Sequence, residues 1–215
     1  NPGPDVRRRL HLEMLVVLGI SLGQSAVYAL LSLINKLTQE VALNRQTTSI
    51  NTSKTPDRPW LDLAYQVANL MFPLVPVALV LYLLWVYQRP HGGPLRSMGF
   101  DLRRPGFDLG VGSAVFVGIG AGGLVLYYAS RELGYNTSVS PANLTAAWWT
   151  VPMLLLLAVK NAVLEEVVMV GYLFTRWRQT GGGIVAVLVG SALIRGAYHF
   201  YQGFGGFVGN VVMGL

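Results

Sequence analysis

The chain of 215 residues contains no cysteine and few charged residues. Without cysteine it has no disulfide, no thiol nucleophile and no thiolate ligand for a metal ion. Charged residues make up 12% of the chain, well below the ~25% of soluble domains, whereas 53% of the residues are hydrophobic. This composition excludes an ordinary soluble domain and indicates a membrane protein.

The excess of basic residues gives a formal net charge of +6. These residues lie at the ends of apolar runs, as juxtamembrane residues do, so the charge predicts contact with membrane lipid and no nucleic acid partner. The N-terminal segment, the second loop and the fourth turn hold nine Lys or Arg, against five in the first and third loops. By the positive-inside rule this difference predicts a cytoplasmic N-terminus in an integral membrane protein, with a bacterial plasma membrane as the expected location.

Long apolar runs predict an all-α fold, a polytopic transmembrane helical bundle that forms one domain over residues 1–215. About six spans are expected, at 12–37, 60–87, 109–129, 148–177, 184–200 and from 203 onward. Because Leu215 lies within the last run, we expect a missing C-terminal part that brings the total to seven or eight spans. Pro73 and Pro76 should kink the second span.

The third predicted span is rich in glycine, at positions 118, 120, 122 and 123. A phosphate-binding glycine loop follows a strand and opens an exposed helix, and neither is expected here. Small residues also let membrane helices approach closely, so the pattern predicts close helix packing at these glycines.

Two adjacent carboxylates, Glu165 and Glu166, interrupt the fourth apolar run. An ionised carboxylate at membrane depth costs at least a few kcal/mol, so such residues are rare and usually functional. On an α-helix, Glu165 should share one face with Asn161, Val168 and Tyr172.

The fifth run carries Arg195 and His199, which are four residues apart and should project from the same side of its helix. The short turn at 179–183 predicts that the fourth and fifth helices are antiparallel neighbours. At 1.5 Å per residue, Glu165 lies roughly 20 Å from this turn and His199 roughly 25 to 30 Å from it. Helix tilt can absorb that difference, so Glu165 and His199 are predicted to meet.

A carboxylate and an imidazole that meet in an apolar pocket suit hydrolysis, because the carboxylate can act as a general base on water. The imidazole could share that water or bind a metal ion. Glu166 would be a second buried anion in need of a cation, with Arg195 as the first candidate and Lys160 and Arg176 as alternatives. A purely structural network, in which Arg195 and Lys160 neutralise the two glutamates, explains the same spacing.

At these residues the chain resembles the CPBP (CAAX protease and bacteriocin-processing) family of intramembrane proteases. That family carries Glu-Glu-x-x-x-Arg on one helix, Phe-x-x-x-His on the next and His-x-x-x-Asn/Asp further on. Here Glu165-Glu166 and the run 171–173 are similar to the first motif, and 191–199 is similar to the second. The stretches 198–203 and 209–214 are similar to actinobacterial members. The resemblance covers about 151–215.

Two motif positions depart from the family pattern, and the third motif is expected beyond Leu215. Val170 stands at the Arg position of the first motif, and Arg195 stands at the Phe position of the second. The two departures suggest a swap, in which Arg195 supplies from the next helix the charge that Val170 cannot.

The resemblance implies an endopeptidase that hydrolyses a peptide bond of a membrane-associated polypeptide. Its catalytic residues would be Glu165, which activates water, together with Glu166 and His199, and Arg195 would be the supporting charge partner. A divalent metal such as zinc is an open option, with Glu165 and His199 as its ligands. The alternatives are a non-catalytic membrane subunit that binds or stabilises partner membrane proteins, and a small proton-coupled carrier.

Overall fold

A computed structural model of the chain describes residues 2–88, 93–100 and 103–215. The described residues are mostly helical, which confirms the predicted all-α class. Arg89 and His91, which the sequence places in the basic loop after the second span, lie outside the described residues.

The described α-helices are α1 (Pro4–Leu18), α2 (Gln24–Leu37), α3 (Pro59–Met71), α4 (Val75–Gln88), α5 (Pro94–Ser97), α6 (Pro105–Glu132), α7 (Thr150–Leu164), α8 (Phe174–Gln179), α9 (Ile184–Ala197) and α10 (Phe204–Gly214). Two π-helical stretches connect helices, at Gly19–Gly23 and Glu165–Leu173. Short 3-10 turns lie at Leu43–Arg45, Phe72–Leu74 and Phe200–Gln202. The strands are β1 (Thr47–Thr52) and β2 (Ser138–Asn143).

Three helical stretches in the described residues are long and apolar enough to cross a membrane: Pro4–Leu37, Pro59–Val86 and Pro105–Glu132. They correspond to the first three predicted spans. Ile184–Ala197 and Phe204–Gly214 are apolar but shorter. The helical run from α7 to α8 differs from these because it holds Lys160, Glu165 and Glu166 within its apolar sequence. The later spans therefore stay predictions.

Pro73 interrupts the second span as predicted. The α-helix ends at Met71, a 3-10 turn covers Phe72–Leu74, and a new α-helix begins at Val75. Proline has no N–H to donate and its ring clashes with the preceding turn, so a continuous α-helix cannot pass through this position unchanged.

The described chain forms two compact units, and the first comprises residues 2–21, 48–88 and 139–184. In this unit α3 and α4 pack against α7, and α1 packs against α8. Trp149, Met153 and Leu157 form a buried cluster, and Leu63 and Leu70 of α3 pack against it. This cluster fixes the beginning of the helical run that carries Glu165.

The first and third polar loops pair as a two-stranded sheet of β1 and β2, which the sequence analysis missed. The strands run in the same direction, because Ser138 donates its N–H to the Gln46 carbonyl at one end and Ser53 donates to Asn143 at the other. Hydrogen-bonded strands must lie on one side of a bilayer. The pairing therefore agrees with a predicted topology in which two spans separate these loops.

The second unit comprises residues 22–47, 93–100, 103–138 and 185–215. Here α10 packs against α6, and α2 packs against the 3-10 turn at Phe200–Gln202. Helices α9 and α10 approach closely at glycine. A Cβ on Gly196 would lie 2.5 Å from Val211, and one on Gly214 would lie 2.8 Å from the Ala192 backbone.

The glycines of α6 do not mediate the close packing predicted for them within the described part of the chain. A Cβ built at Gly118, Gly120 or Gly122 would meet no described atom within 4 Å, and one at Gly123 would meet only Met213 at 4.0 Å. Glycines of α9 and α10 allow close helix approach in this unit instead. Gly196 and Gly214 lie where α9 meets α10, and Gly205 lies where α10 meets Ser130 of α6.

Asp62 stabilises the start of α3, and its replacement should destabilise the first unit. The buried Asp62 carboxylate accepts hydrogen bonds from the backbone N–H of Lys54 at 2.7 Å and of Thr55 at 3.3 Å. Asp62→Ala removes that acceptor, and we expect a loss of about 1–3 kcal/mol in the free energy of unfolding. Thermal unfolding in detergent measures it. Asp57→Ala, an exposed change in the same loop, is the matched control, and equal midpoints for the two variants would contradict this assignment.

Candidate active site

Glu165 and Glu166 are the first two residues of a π-helical stretch, Glu165–Leu173, which we call the π-segment. The Glu165 side chain is half-buried, whereas Glu166 is exposed. The π-segment packs against α4, and its buried residues are Val167, Val168, Met169, Gly171, Tyr172 and Leu173. The pair of carboxylates thus lies at the boundary between an ordinary α-helix and a wider helical form that is frequent at functional sites.

The π-segment changes which side chains share a face. A helix with i→i+5 hydrogen bonds turns by less per residue than the ~100° of an α-helix. The α-helical prediction put Asn161 and Glu165 on one face with Val168 and Tyr172. In the structure Val168 and Tyr172 are fully buried, Glu165 is half-buried and Asn161 is exposed, so that prediction is wrong.

Glu166 differs from its expected environment. It was expected to be a second buried anion that needs a cation, but its side chain is exposed. Val170, at the position where the resembled family has Arg, is also exposed, by 47%. An anion exposed at membrane depth still needs a charge partner, so the pairing of Glu166 with a cation stays a prediction.

Arg176, an alternative partner for Glu166 in the sequence analysis, instead binds a glutamate of the first helix. Its Nε lies 2.7 Å from Oε1 of Glu13, and Arg176 is fully buried while the Glu13 side chain is 19% exposed. The Tyr172 hydroxyl donates to the same Glu13 oxygen at 2.9 Å. The guanidinium also donates to Gln179 Oε1 at 2.9 Å and to the Leu83 carbonyl at 3.3 Å.

Glu13, which contacts Tyr172 at the end of the π-segment and Arg176 in α8, is a residue that the sequence analysis missed. Its signal was present, because Glu13 lies one residue inside the first apolar run, where an ionised group needs an explanation.

In the second unit, His199 lies just after α9 with one ring nitrogen fixed. Nδ1 is 2.9 Å from the carbonyl oxygen of Arg195. A carbonyl only accepts hydrogen bonds, so Nδ1 carries the proton, and in the neutral ring Nε2 carries the lone pair. This is the tautomer that a base or a metal ligand at Nε2 requires.

The segment that follows His199 is held by hydrogen bonds from other parts of the second unit. Lys36 Nζ donates to the Tyr201 carbonyl at 2.5 Å, and Thr137 donates its N–H to the Gln202 carbonyl at 3.0 Å. Asn136 forms a β-bridge with Gly203. The histidine ring itself stacks on Tyr201, with ring centroids 6.0 Å apart. His199 is therefore half-buried on a well-fixed backbone.

Arg195 contacts His199 through its backbone carbonyl. The residue is half-buried in the last turn of α9, and its carbonyl accepts the Nδ1 hydrogen bond. The structure thus brings Arg195 and His199 together within the second unit, and Glu165 and Glu166 together within the first. The predicted meeting of Glu165 with His199, and the predicted pairing of Arg195 or Lys160 with the glutamates, stay predictions.

The described side chains were compared with the ligand set of a catalytic zinc site. Such sites use three protein ligands and an open position for water. Within residues 2–88, 93–100 and 103–215, no group of three or more His, Asp or Glu side chains is placed to hold a metal ion.

A comparison with protein-family models finds a match over the region that carries these residues. Residues 147–215 match a family model described as type II CAAX prenyl endopeptidase Rce1-like, which belongs to the CPBP family. The match covers about a third of the chain and includes Glu165, Glu166, Arg195 and His199. It indicates similarity to intramembrane proteases in this region. No curated protein and no solved structure matches the chain.

Gly203 holds the backbone after His199 in a conformation that other residues avoid. Its φ of +115° and ψ of −176° fall in a region that is essentially glycine-only, and a Cβ would lie 2.5 Å from the Tyr135 carbonyl oxygen. Gly203→Ala should therefore cost about 1–3 kcal/mol in the free energy of unfolding, measured by thermal denaturation in detergent. Gly110→Ala, in open space on α6, is the matched control and should not lower stability. A Gly203→Ala protein as stable as this control would refute the assigned role.

Proposed function

We propose that the chain is an intramembrane endopeptidase that hydrolyses a peptide bond of a membrane-associated polypeptide. The observation that carries this proposal is the family match over 147–215, which includes both Glu165 and His199. The three long apolar helices fit an enzyme that works in or beside the bilayer.

In the proposed mechanism Glu165 is the general base. Its carboxylate takes a proton from water while the water oxygen attacks the carbonyl carbon of the scissile peptide bond. The tetrahedral intermediate collapses as the C–N bond breaks, and the proton held by Glu165 passes to the leaving nitrogen. A half-buried carboxylate that begins the π-segment is compatible with this role.

His199 would orient the attacking water. Because Nδ1 donates to the Arg195 carbonyl, the lone pair on Nε2 can accept a hydrogen bond from that water. The role requires Glu165 and His199 to converge on one water-filled cavity, which is part of the proposal. Glu166 is proposed as a third residue of the site, where its charge would tune the electrostatics around Glu165.

The proposed setting is the bacterial plasma membrane with a cytoplasmic N-terminus. The excess of Lys and Arg in the N-terminal segment, the second loop and the fourth turn supports this orientation. The pairing of β1 with β2 supports a common side for the first and third loops. Membrane lipid and a membrane-associated polypeptide are the partners that follow.

A non-catalytic membrane subunit that stabilises partner proteins is the second candidate. It is favoured by the two departures from the family motifs, Val170 and Arg195, and by the exposure of Val170. In this alternative Glu165, Glu166 and Arg195 have a purely structural role. Substitutions of Glu165 then leave peptide hydrolysis in the membrane unchanged.

Glu165→Gln should abolish hydrolysis, because it removes the base while keeping the shape of the side chain. General-base catalysis contributes about 10²–10⁴-fold, so cleavage should fall at least a hundredfold. New N-termini are identified by mass spectrometry in membranes that carry the wild-type chain and compared with those in membranes that carry the variant. The rate of cleavage of the polypeptide found in this way is then measured for both chains. His199→Ala should give a loss of similar size.

Glu132→Gln is the matched control for this experiment, because it makes the same chemical change at an exposed glutamate at the end of α6. It should cleave as the wild-type chain does. If Glu165→Gln and His199→Ala accumulate no uncleaved polypeptide while they are expressed normally, the proposed protease function is wrong and the subunit is favoured.

The proposed swap between motif positions makes Arg195 a supporting charge partner of Glu166. If it is correct, Arg195→Ala lowers hydrolysis and Arg195→Lys restores part of it, because lysine keeps the positive charge. The His199 hydrogen bond should persist in both variants, since it uses the Arg195 backbone. Hydrolysis by Arg195→Ala equal to that of the wild-type chain would rule out the swap.

A further inference from the structure

The π-segment needs an explanation, because π-helices are rare and mostly limited to single turns. Here the π-helical form covers nine residues and begins at Glu165. A helix of this kind competes with the ordinary α-helix that the same residues could form. Contacts outside the segment must therefore favour it.

The helix is fixed before the π-segment begins. Trp149, Met153 and Leu157 are buried, and Leu63 and Leu70 of α3 pack against them. Rotation of α7 about its axis would expose this apolar cluster. The N-terminal side of the π-segment thus has a set orientation within the first unit.

The helix is fixed again at the end of the π-segment, and Glu13 is the residue that fixes it there. One oxygen of Glu13 accepts hydrogen bonds from the Tyr172 hydroxyl at 2.9 Å and from Arg176 Nε at 2.7 Å. Tyr172 and Arg176 are both fully buried, so their polar groups cannot turn to water instead. Among the acceptors that Arg176 reaches at Glu13, Gln179 and Leu83, the Glu13 carboxylate is the charged one.

We infer that Glu13 is a positioning residue, which holds the π-segment and thereby the orientation of Glu165. The two fixed ends set how far the helix turns between Leu157 and Tyr172. A change from π to α within the segment alters that turn, so Glu165 cannot keep its direction relative to Tyr172 and Arg176. This inference rests on the proposed function, since it assigns a purpose to the orientation of Glu165.

Label distances test the inference without any need for activity. Because the chain has no cysteine, Val159→Cys with Arg178→Cys places two unique spin labels at exposed positions before and after the π-segment. Double electron–electron resonance on the labelled protein in nanodiscs gives the distance between the two labels. We expect Glu13→Ala to move the main distance outside the width of the wild-type distribution. Asp5→Ala, at an exposed acid of the same helix, is the matched control and should leave the distance unchanged.

Kinetics on the cleaved polypeptide supply the second measurement. Glu13→Ala should lower kcat at least tenfold and change KM less than twofold, because the base is misdirected while the binding surface remains. Glu13→Gln keeps an oxygen that accepts from Tyr172 and Arg176, so it should recover part of kcat and return the label distance toward the wild-type value. It is also the milder variant if Glu13→Ala fails to fold.

The outcomes separate this inference from the proposed function. An unchanged label distance in folded Glu13→Ala overturns the inference, even if hydrolysis is lost. A changed distance with unchanged kcat also overturns it, because Glu165 would not depend on the π-segment. A wild-type chain with no hydrolysis overturns the proposed function, and the label distances still decide whether Glu13 sets the turn of the helix.

Discussion

The contact between Glu13 and Arg176 is the interaction on which the first unit depends. A guanidinium that is fully buried among apolar helices is costly unless charge and hydrogen bonds compensate it. Arg176 receives both, from the Glu13 carboxylate and from the oxygens of Gln179 and Leu83. Because these partners lie on α1, α4 and α8, one buried cation ties three helices to a single arrangement.

This arrangement explains why an unusual helix can persist beside Glu165. The π-segment lies between an apolar cluster at Leu157 and the polar cluster of Tyr172, Arg176 and Glu13. The hydrophobic packing at the Leu157 end is non-directional, whereas the hydrogen bonds at the Tyr172 end require particular angles. The helix between them takes the form that satisfies both ends.

His199 depends on a different constraint, which is backbone geometry. Its Nδ1 donates to the Arg195 carbonyl, and the segment after it is held through Lys36, Thr137 and the strained backbone of Gly203. A histidine fixed in this way presents a defined tautomer with the lone pair on Nε2. The family match over 147–215 includes this histidine.

Sequence alone determined the membrane class, the first three spans, the break at Pro73 and the two places where charge interrupts apolar helices. These follow from residue type and spacing, because burial of apolar runs and the geometry of proline are local properties. Tertiary structure decided that Glu166 is exposed, that Arg176 binds Glu13, and that the helix widens at Glu165. Those features depend on contacts between residues as far apart as 13 and 176, and no local pattern encodes which distant carboxylate a buried arginine will meet.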